Sequence, residues 1–167
     1  MTVFLSIGSN VQPQKNIPAC LEILKKKFSV KKISSIYETE PVGPAGNRKF
    51  WNLAVGLETG LDLKMLAATL RQIEETLGRK HDPADKFAAR TIDLDILPQP
   101  GYQNQAFIMI PLAEIAGGQR DEETGKTFGE IAEGLTKQGP RTWRREPPPE
   151  PPRKSPGSAR LKSGRHR

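Results

Sequence analysis

The sequence predicts an α+β fold with the element order β-α-β-β-α-β, an antiparallel-rich sheet with both helices on one face. Three observations carry the prediction. Residues 90–97 (RTIDLDIL) alternate polar and apolar as a strand does, residues 61–77 hold a one-sided apolar stripe, and several shorter apolar runs surround them. At 167 residues the chain has the length of one domain with a sizeable core.

The elements follow in order. Residues 2–8 (TVFLSIG) read as a buried strand closed by Gly8-Ser9-Asn10, a turn signal. Apolar residues at 17, 20, 21, 24 and 28 recur at helical spacing, and 30–37 (VKKISSIY) reads as the second strand. A Pro/Gly loop over 39–49 leads to a strand over 50–58 (FWNLAVGLE). The next helix places Leu63, Leu66, Leu70, Ile73 and Leu77 on one side and stops at Gly78. A charged loop, 79–89, precedes the strand at 90–97, and short helices are expected at 111–116 and 129–135. No internal repeat is present.

The formal charge of +7 points first to an anionic partner such as nucleic acid. That charge is confined to the end of the chain. From Lys137 onward there are ten Lys and Arg against two Asp and Glu, while residues 1–136 carry 16 basic and 17 acidic groups. The last 31 residues also hold seven of the 15 prolines and little to bury. The expected organisation is a folded domain over 1–136 and a basic, Pro-rich, disordered tail over 137–167. No apolar run reaches the roughly 20 residues of a membrane helix, and the start lacks the basic region of a signal peptide. The lone Cys20 excludes an intramolecular disulfide and lies on a helical stretch, where it reads as a packed small hydrophobe. A cytoplasmic, monomeric protein is expected.

Chemistry-bearing residues concentrate at 90–97. On a strand, Asp93 and Asp95 share one face while Ile92, Leu94 and Ile96 share the other. Two carboxylates about 7 Å apart along a strand can ligate Mg²⁺ together with phosphate oxygens and water. A solvated strand face with a chance DxD is the plain alternative. The loop just upstream adds Arg79, Lys80, His81, Lys86 and Arg90. Cations beside a carboxylate pair suit phosphoryl transfer, in which metal and Arg or Lys neutralise the transferred group.

Several segments together resemble one family. RTIDLDIL behind its basic loop is similar to the strand motif of the 6-hydroxymethyl-7,8-dihydropterin pyrophosphokinases of folate synthesis. The likeness extends to SIGSN (6–10), YETEPVGP (37–44), FWNLAVGLET (50–59), IEETLGR (73–79) and AFIMIPLAEIA (106–116), and so covers about residues 1–135. It implies a ferredoxin-like sandwich and transfer of pyrophosphate from ATP, with two Mg²⁺ ions, to the pterin hydroxymethyl group. By position, the resemblance makes Asp93 and Asp95 the metal ligands. Arg79, Lys86 and Arg90 would contact the triphosphate, and Glu74 would lie on the ATP side. Thr39, Val42, Phe50, Asn52 and Phe107 would recognise the pterin. Two aromatic faces suit a flat heterocycle, and an amide offers its edge both donor and acceptor. That Phe50 and Phe107 are ordinary core residues is the plain alternative.

The sequence departs from the family pattern on the nucleotide side. Leu97-Pro98-Gln99-Pro100 follows the DLD strand at once, where the family has a further hairpin and then Leu-Pro-His-Pro. Gln99 replaces that histidine, Gln105 stands where an arginine is usual, and Phe87 where a loop tryptophan is common. Two further readings follow: a catalytically impaired pterin-binding paralogue, and a ferredoxin-like nucleic-acid module with a basic arm. The second needs aromatics spread over the central strands, whereas the strand at 50–58 has them only at its first two positions. ATP and the pterin are thus the expected partners, with other folate enzymes as further candidates.

Overall fold

A computed structural model describes residues 1–39, 49–80, 84 and 89–138, together with the backbone of 144–146. Strand β1 (Thr2–Ser9) is followed by helix α1 (Pro13–Lys27), and then β2 (Ser29–Ile33), β3 (Ile36–Thr39) and β4 (Phe50–Glu58). Helix α2 (Leu63–Thr76), strand β5 (Asp93–Leu97), a 3-10 turn at Tyr102–Asn104, helices α3 (Ala106–Ala116) and α4 (Phe128–Gln138) and strand β6 (Arg144–Glu146) complete the order. The strands form one sheet in the order β5-β1-β4-β3-β6, with β2 also paired to β4, and every pairing is antiparallel. This is the arrangement of the ferredoxin-like sandwich.

The alternation of β1, β4 and β5 divides the molecule into two cores. Leu5, Ile7, Leu53, Val55, Leu57 and Leu94 face α1 and α2, where Ile17, Leu21, Leu24, Leu66, Leu70 and Ile73 meet them. Fully burying one such side chain contributes about 1.5–3 kcal/mol. Cys20 is wholly buried in this layer. Both expected helices therefore lie on one face, as the element order requires. The opposite face carries a second core in which Ala54 and Leu97, with Phe4 packed beside them, meet Ile108, Met109 and Leu112 of α3 and Phe128 of α4.

Differences from the sequence reading have local causes. The single strand expected at 30–37 is two, because Ser34 leaves the ladder. Its hydroxyl takes the Ala54 N–H at 2.8 Å while its own N–H reaches the Ala54 carbonyl at 2.9 Å. The last core strand starts at Asp93 rather than at residue 90, since the main chain of Arg90 and Thr91 is bonded to Asn10 and Ser9 instead. Helix α3 starts five residues before the expected position and keeps Pro111 in its interior. Helix α2 begins where Asp62 accepts the Met65 N–H at 2.8 Å, a side-chain N-cap. Two described elements reach into the stretch from 137, where the sequence predicts disorder. Helix α4 runs to Gln138, and β6 adds a strand to the free side of β3, pairing Tyr37 with Arg145. The other residues beyond Gln138 lie outside the described set.

Candidate active site

Register brings the site together. Tyr37 on β3 pairs with Asn52 on β4, Asn52 with Gly8 on β1, and Gly8 with Asp93 on β5. Directly opposed residues point to the same face, so these four form one row across four strands, about 5 Å from one to the next. The face is the one that α3 covers, not the one against α1 and α2. The neighbouring row on β4, β1 and β5 is Ala54, Ser6 and Asp95. A group held at Asn52 thus stands two strand spacings from Asp93.

At the Asn52 end, the side-chain amide donates to Thr39 Oγ1 at 3.1 Å, and Asn52 is buried. Thr39 pairs with Phe50, which is half-buried on the same face of β4. Phe107 lies in the first turn of α3 and is 38% exposed, the only large aromatic among the exposed hydrophobics of the described residues. Thr39, Phe50 and Asn52 are therefore gathered on one sheet face, with Phe107 on the helix that covers that face.

At the Asp93 end, charge is dense. Asp93 accepts from Arg79 through one carboxylate oxygen and from Arg90 through the other. Arg79 also bonds Glu74 at 2.8 Å and the Ile92 carbonyl at 3.3 Å. Burial works against the Arg79 charge, but the surrounding Asp93, Glu74 and Asp95 outweigh it and raise its pKa above the ordinary value. Glu74 is buried on α2, and its Oε1 accepts the Leu94 N–H at 2.7 Å. Burial pushes that carboxyl upward, against the Leu94 N–H and Arg79, which favour its charge. Asp95 rises from 3.8 to about 6, through burial first and then the negative charges of Asp93 and Glu74. Two carboxylates repelling each other on one strand face, beside an open edge, suit a hard dication. A cleft of about 370 Å³ runs along the β5 edge, lined by Leu70, Glu74, Arg79, Asp93, Asp95 and Ile96 among others.

Eight of the eleven residues singled out from the sequence thus fall in two clusters: Glu74, Arg79, Arg90, Asp93 and Asp95 in one, Thr39, Phe50 and Asn52 in the other. Phe107 stands on the covering helix, while Val42 and Lys86 lie outside the described residues, as do His81 and Phe87. Gln99 and Gln105 lie beyond the end of β5. Gln99 lines a second cavity of about 510 Å³ with Phe4, Tyr102 and Phe128, and Gln105 precedes α3 without a side-chain cap.

Two contributors escaped the sequence reading. Gly8, taken there as part of a turn, sits inside β1, and a Cβ on it would lie 3.1 Å from Asn52 Oδ1. Asn10 fixes the main chain of Arg90 from both sides. Only the close approach of β1 to β4 and to residue 90 reveals either role.

The family model of 7,8-dihydro-6-hydroxymethylpterin-pyrophosphokinase matches residues 4–117, a span that contains both clusters. The chain belongs to this pyrophosphokinase family. A 2-amino-4-hydroxy-6-hydroxymethyldihydropteridine pyrophosphokinase of Bacillus subtilis is 30% identical over 160 residues, covering 86% of this chain and 90% of the relative. One of Pseudomonas aeruginosa is 31% identical over 131 residues, covering 68% of this chain and 80% of the relative. A mitochondrial folate synthesis bifunctional protein of Pisum sativum is 30% identical over 138 residues, covering 73% of this chain and 26% of the relative.

Proposed function

We propose that this pyrophosphokinase transfers the terminal diphosphate of ATP to the hydroxymethyl oxygen of 6-hydroxymethyl-7,8-dihydropterin, releasing AMP in folate synthesis. The observation that carries the reading is the single row Tyr37–Asn52–Gly8–Asp93. It puts the Asn52 amide and the charge cluster around Asp93 on one surface, about 10 Å apart, which supports a pterin held at the first and a triphosphate at the second.

Each group has a task set by its chemistry. The Asn52 amide and Thr39 hydroxyl present donors and acceptors to the ring edge, while Phe50 and Phe107 offer aromatic faces. ATP occupies the cleft along β5, with its phosphates toward Arg79 and Arg90. Asp93 and Asp95 would hold Mg²⁺, and the carboxylate pair with its raised Asp95 fits such an ion. When bound, the metal screens the phosphate charge and aligns the oligophosphate. The substrate oxygen attacks the β-phosphorus, the bond from that phosphorus to the oxygen bridging the α-phosphate breaks, and AMP departs with those electrons. The hydroxyl proton passes to solvent or to a phosphate oxygen. Arg79 and Arg90 neutralise charge on the transferred group, and Glu74 keeps Arg79 aimed while bonding α2 to β5. Since a dissociative transfer needs little basic assistance, positioning and electrostatics do most of the work.

A cytoplasmic monomer belongs to the same reading. The single thiol, buried on α1 and with no second cysteine to pair with, suits a reducing compartment, and no described helix is long and apolar enough to cross a membrane. The test is substrate-dependent AMP formation by the purified chain with Mg²⁺. Pterin binding without turnover would instead identify an impaired paralogue.

A further inference from the structure

The face of the sheet that carries the proposed pterin site is covered by α3, with an apolar core between the two. Ile108, Met109 and Leu112 press on the sheet around Ala54 and Leu97. The hydrophobic driving force is non-directional, whereas a hydrogen bond fixes its donor and acceptor in both distance and angle. One side chain is different. Glu114 accepts the Ser35 N–H at 3.0 Å and the Ser35 hydroxyl at 2.8 Å through Oε1, and the Tyr37 hydroxyl at 2.6 Å through Oε2. A glutamate on an exposed helical position has water for its needs, yet this one takes three donors from 77–79 residues away.

These donors belong to the site's own frame. Tyr37 stands in the row with Asn52 and two residues before Thr39 on the same strand face. Glu114 lies seven residues, about two turns, after Phe107 on the same side of α3. The neighbouring Ile115 carbonyl accepts from Lys32 Nζ at 3.0 Å, so the end of the helix is tied twice. We propose that Glu114 is a positioning residue for the pterin end of the site: its carboxylate locks α3, which carries Phe107, to β3, which carries Thr39. The inference rests on the pterin reading above and adds what sets the gap between helix and sheet. A flat ring stacked on an aromatic binds through close contact, and widening that gap by about 0.5–1 Å forfeits a quarter to a half of the contact energy.

The test compares Glu114→Ala, Glu114→Gln and Tyr37→Phe with the unsubstituted chain, by fluorescence titration with the pterin and by steady-state AMP formation. Tyr102→Phe is the control: it deletes a buried hydroxyl bonded to Asp121 at 2.6 Å in the same α3 core but outside the site. Glu114→Ala is expected to raise the pterin Kd and KM about tenfold, leaving kcat at saturating pterin and the KM for ATP within about twofold. Glu114→Gln, which retains an acceptor for Tyr37, recovers part of the loss. Tyr37→Phe gives an intermediate rise and adds little to Glu114→Ala in the double variant. Tyr102→Phe lowers the Tm without moving the pterin KM. An unchanged pterin Kd in folded Tyr37→Phe and Glu114→Gln overturns the proposal, as does an equal rise in both KM values or the same split in the control. Absence of pterin binding by the unsubstituted chain instead overturns the functional reading, and this inference with it.

Discussion

Asn10 holds Arg90 at both main-chain groups. Its side-chain oxygen accepts the Arg90 N–H at 2.7 Å, and its own N–H donates to the Arg90 carbonyl at 3.1 Å. Ser9 extends the clamp through a hydroxyl bond of 2.6 Å to the Thr91 carbonyl. The start of β5 is thereby fixed to the end of β1, with the Arg90 guanidinium delivered to Asp93. Asn10→Ala leaves the Arg90 N–H without its partner, which costs about 1–3 kcal/mol for a buried donor. The expected kinetic result is a fall of roughly tenfold or more in kcat/KM for ATP, with the pterin Kd unchanged. A change in pterin Kd alone would place Asn10 in a different role.

Gly8 separates the two ends of the site, and its lack of a side chain is a spatial need. A methyl there would come within 3.1 Å of Asn52 Oδ1, closer than most Cβ contacts tolerate. Gly8→Ala pushes the amide out of line with Thr39, and Gly8→Val does so more strongly. Isothermal titration should show pterin affinity falling about tenfold for alanine and further for valine, with ATP affinity little altered.

The proposed metal-binding role of the carboxylate pair predicts a trade between stability and activity. In the folded chain the Asp95 carboxyl is raised to about 6 from 3.8 by burial, Asp93 and Glu74. A raised carboxyl favours the folded state while it is protonated, so its contribution is intact below about pH 4 and is lost as pH rises through 6. Asp95→Asn removes the ionisation. It should raise stability of the metal-free protein at pH 8 by about 1–3 kcal/mol, with little gain at pH 4, and abolish AMP formation. Denaturant melts at the two pH values test the sign. A variant less stable at pH 8 than its parent contradicts the origin assigned to the shift.

What the sequence disclosed and what it hid follow from the range of the interactions. The DLDIL strand was legible because alternation is local: Asp93 and Asp95 on one face and Leu94 on the other need only the pleat. The α2 stripe was legible for the same reason, its leucines recurring every turn. Ser34 and Ser35 gave no sign of breaking a strand, since the break depends on Ala54 and Glu114, 20 and 79 residues away. Pro111 misled in a definite way. Read as a helix start, where a missing N–H is harmless, it lies in the middle of α3. The short β6 within the proline-rich stretch was illegible because its hydrogen bonds are lent by β3. Glu74 was placed on the ATP side by resemblance, but nothing in its surroundings in sequence announces the Leu94 N–H that it accepts.

Cys20 makes a simpler check of the larger core. The thiol is wholly buried on α1, and burial, with a smaller contribution from Glu74, pushes it from 9.0 to about 12. As a thiolate is the reactive form, the native protein should give no reaction with a disulfide reagent at pH 8 over minutes, and one full equivalent once denatured. The raised value also means that this group's contribution to stability holds below pH 9 and is lost as pH climbs toward 12. Rapid labelling of the native chain would show that α1 does not pack as described.

The most direct measurement of the central claim is the product ratio from ATP and 6-hydroxymethyl-7,8-dihydropterin with the full chain. Radiolabelled ATP resolved by chromatography should yield AMP and pterin diphosphate one to one, only with Mg²⁺ present, and neither product from the Asp93→Asn, Asp95→Asn double variant. Formation of ADP in place of AMP, or AMP without the pterin, would contradict transfer of a diphosphate across the row from Asn52 to Asp93.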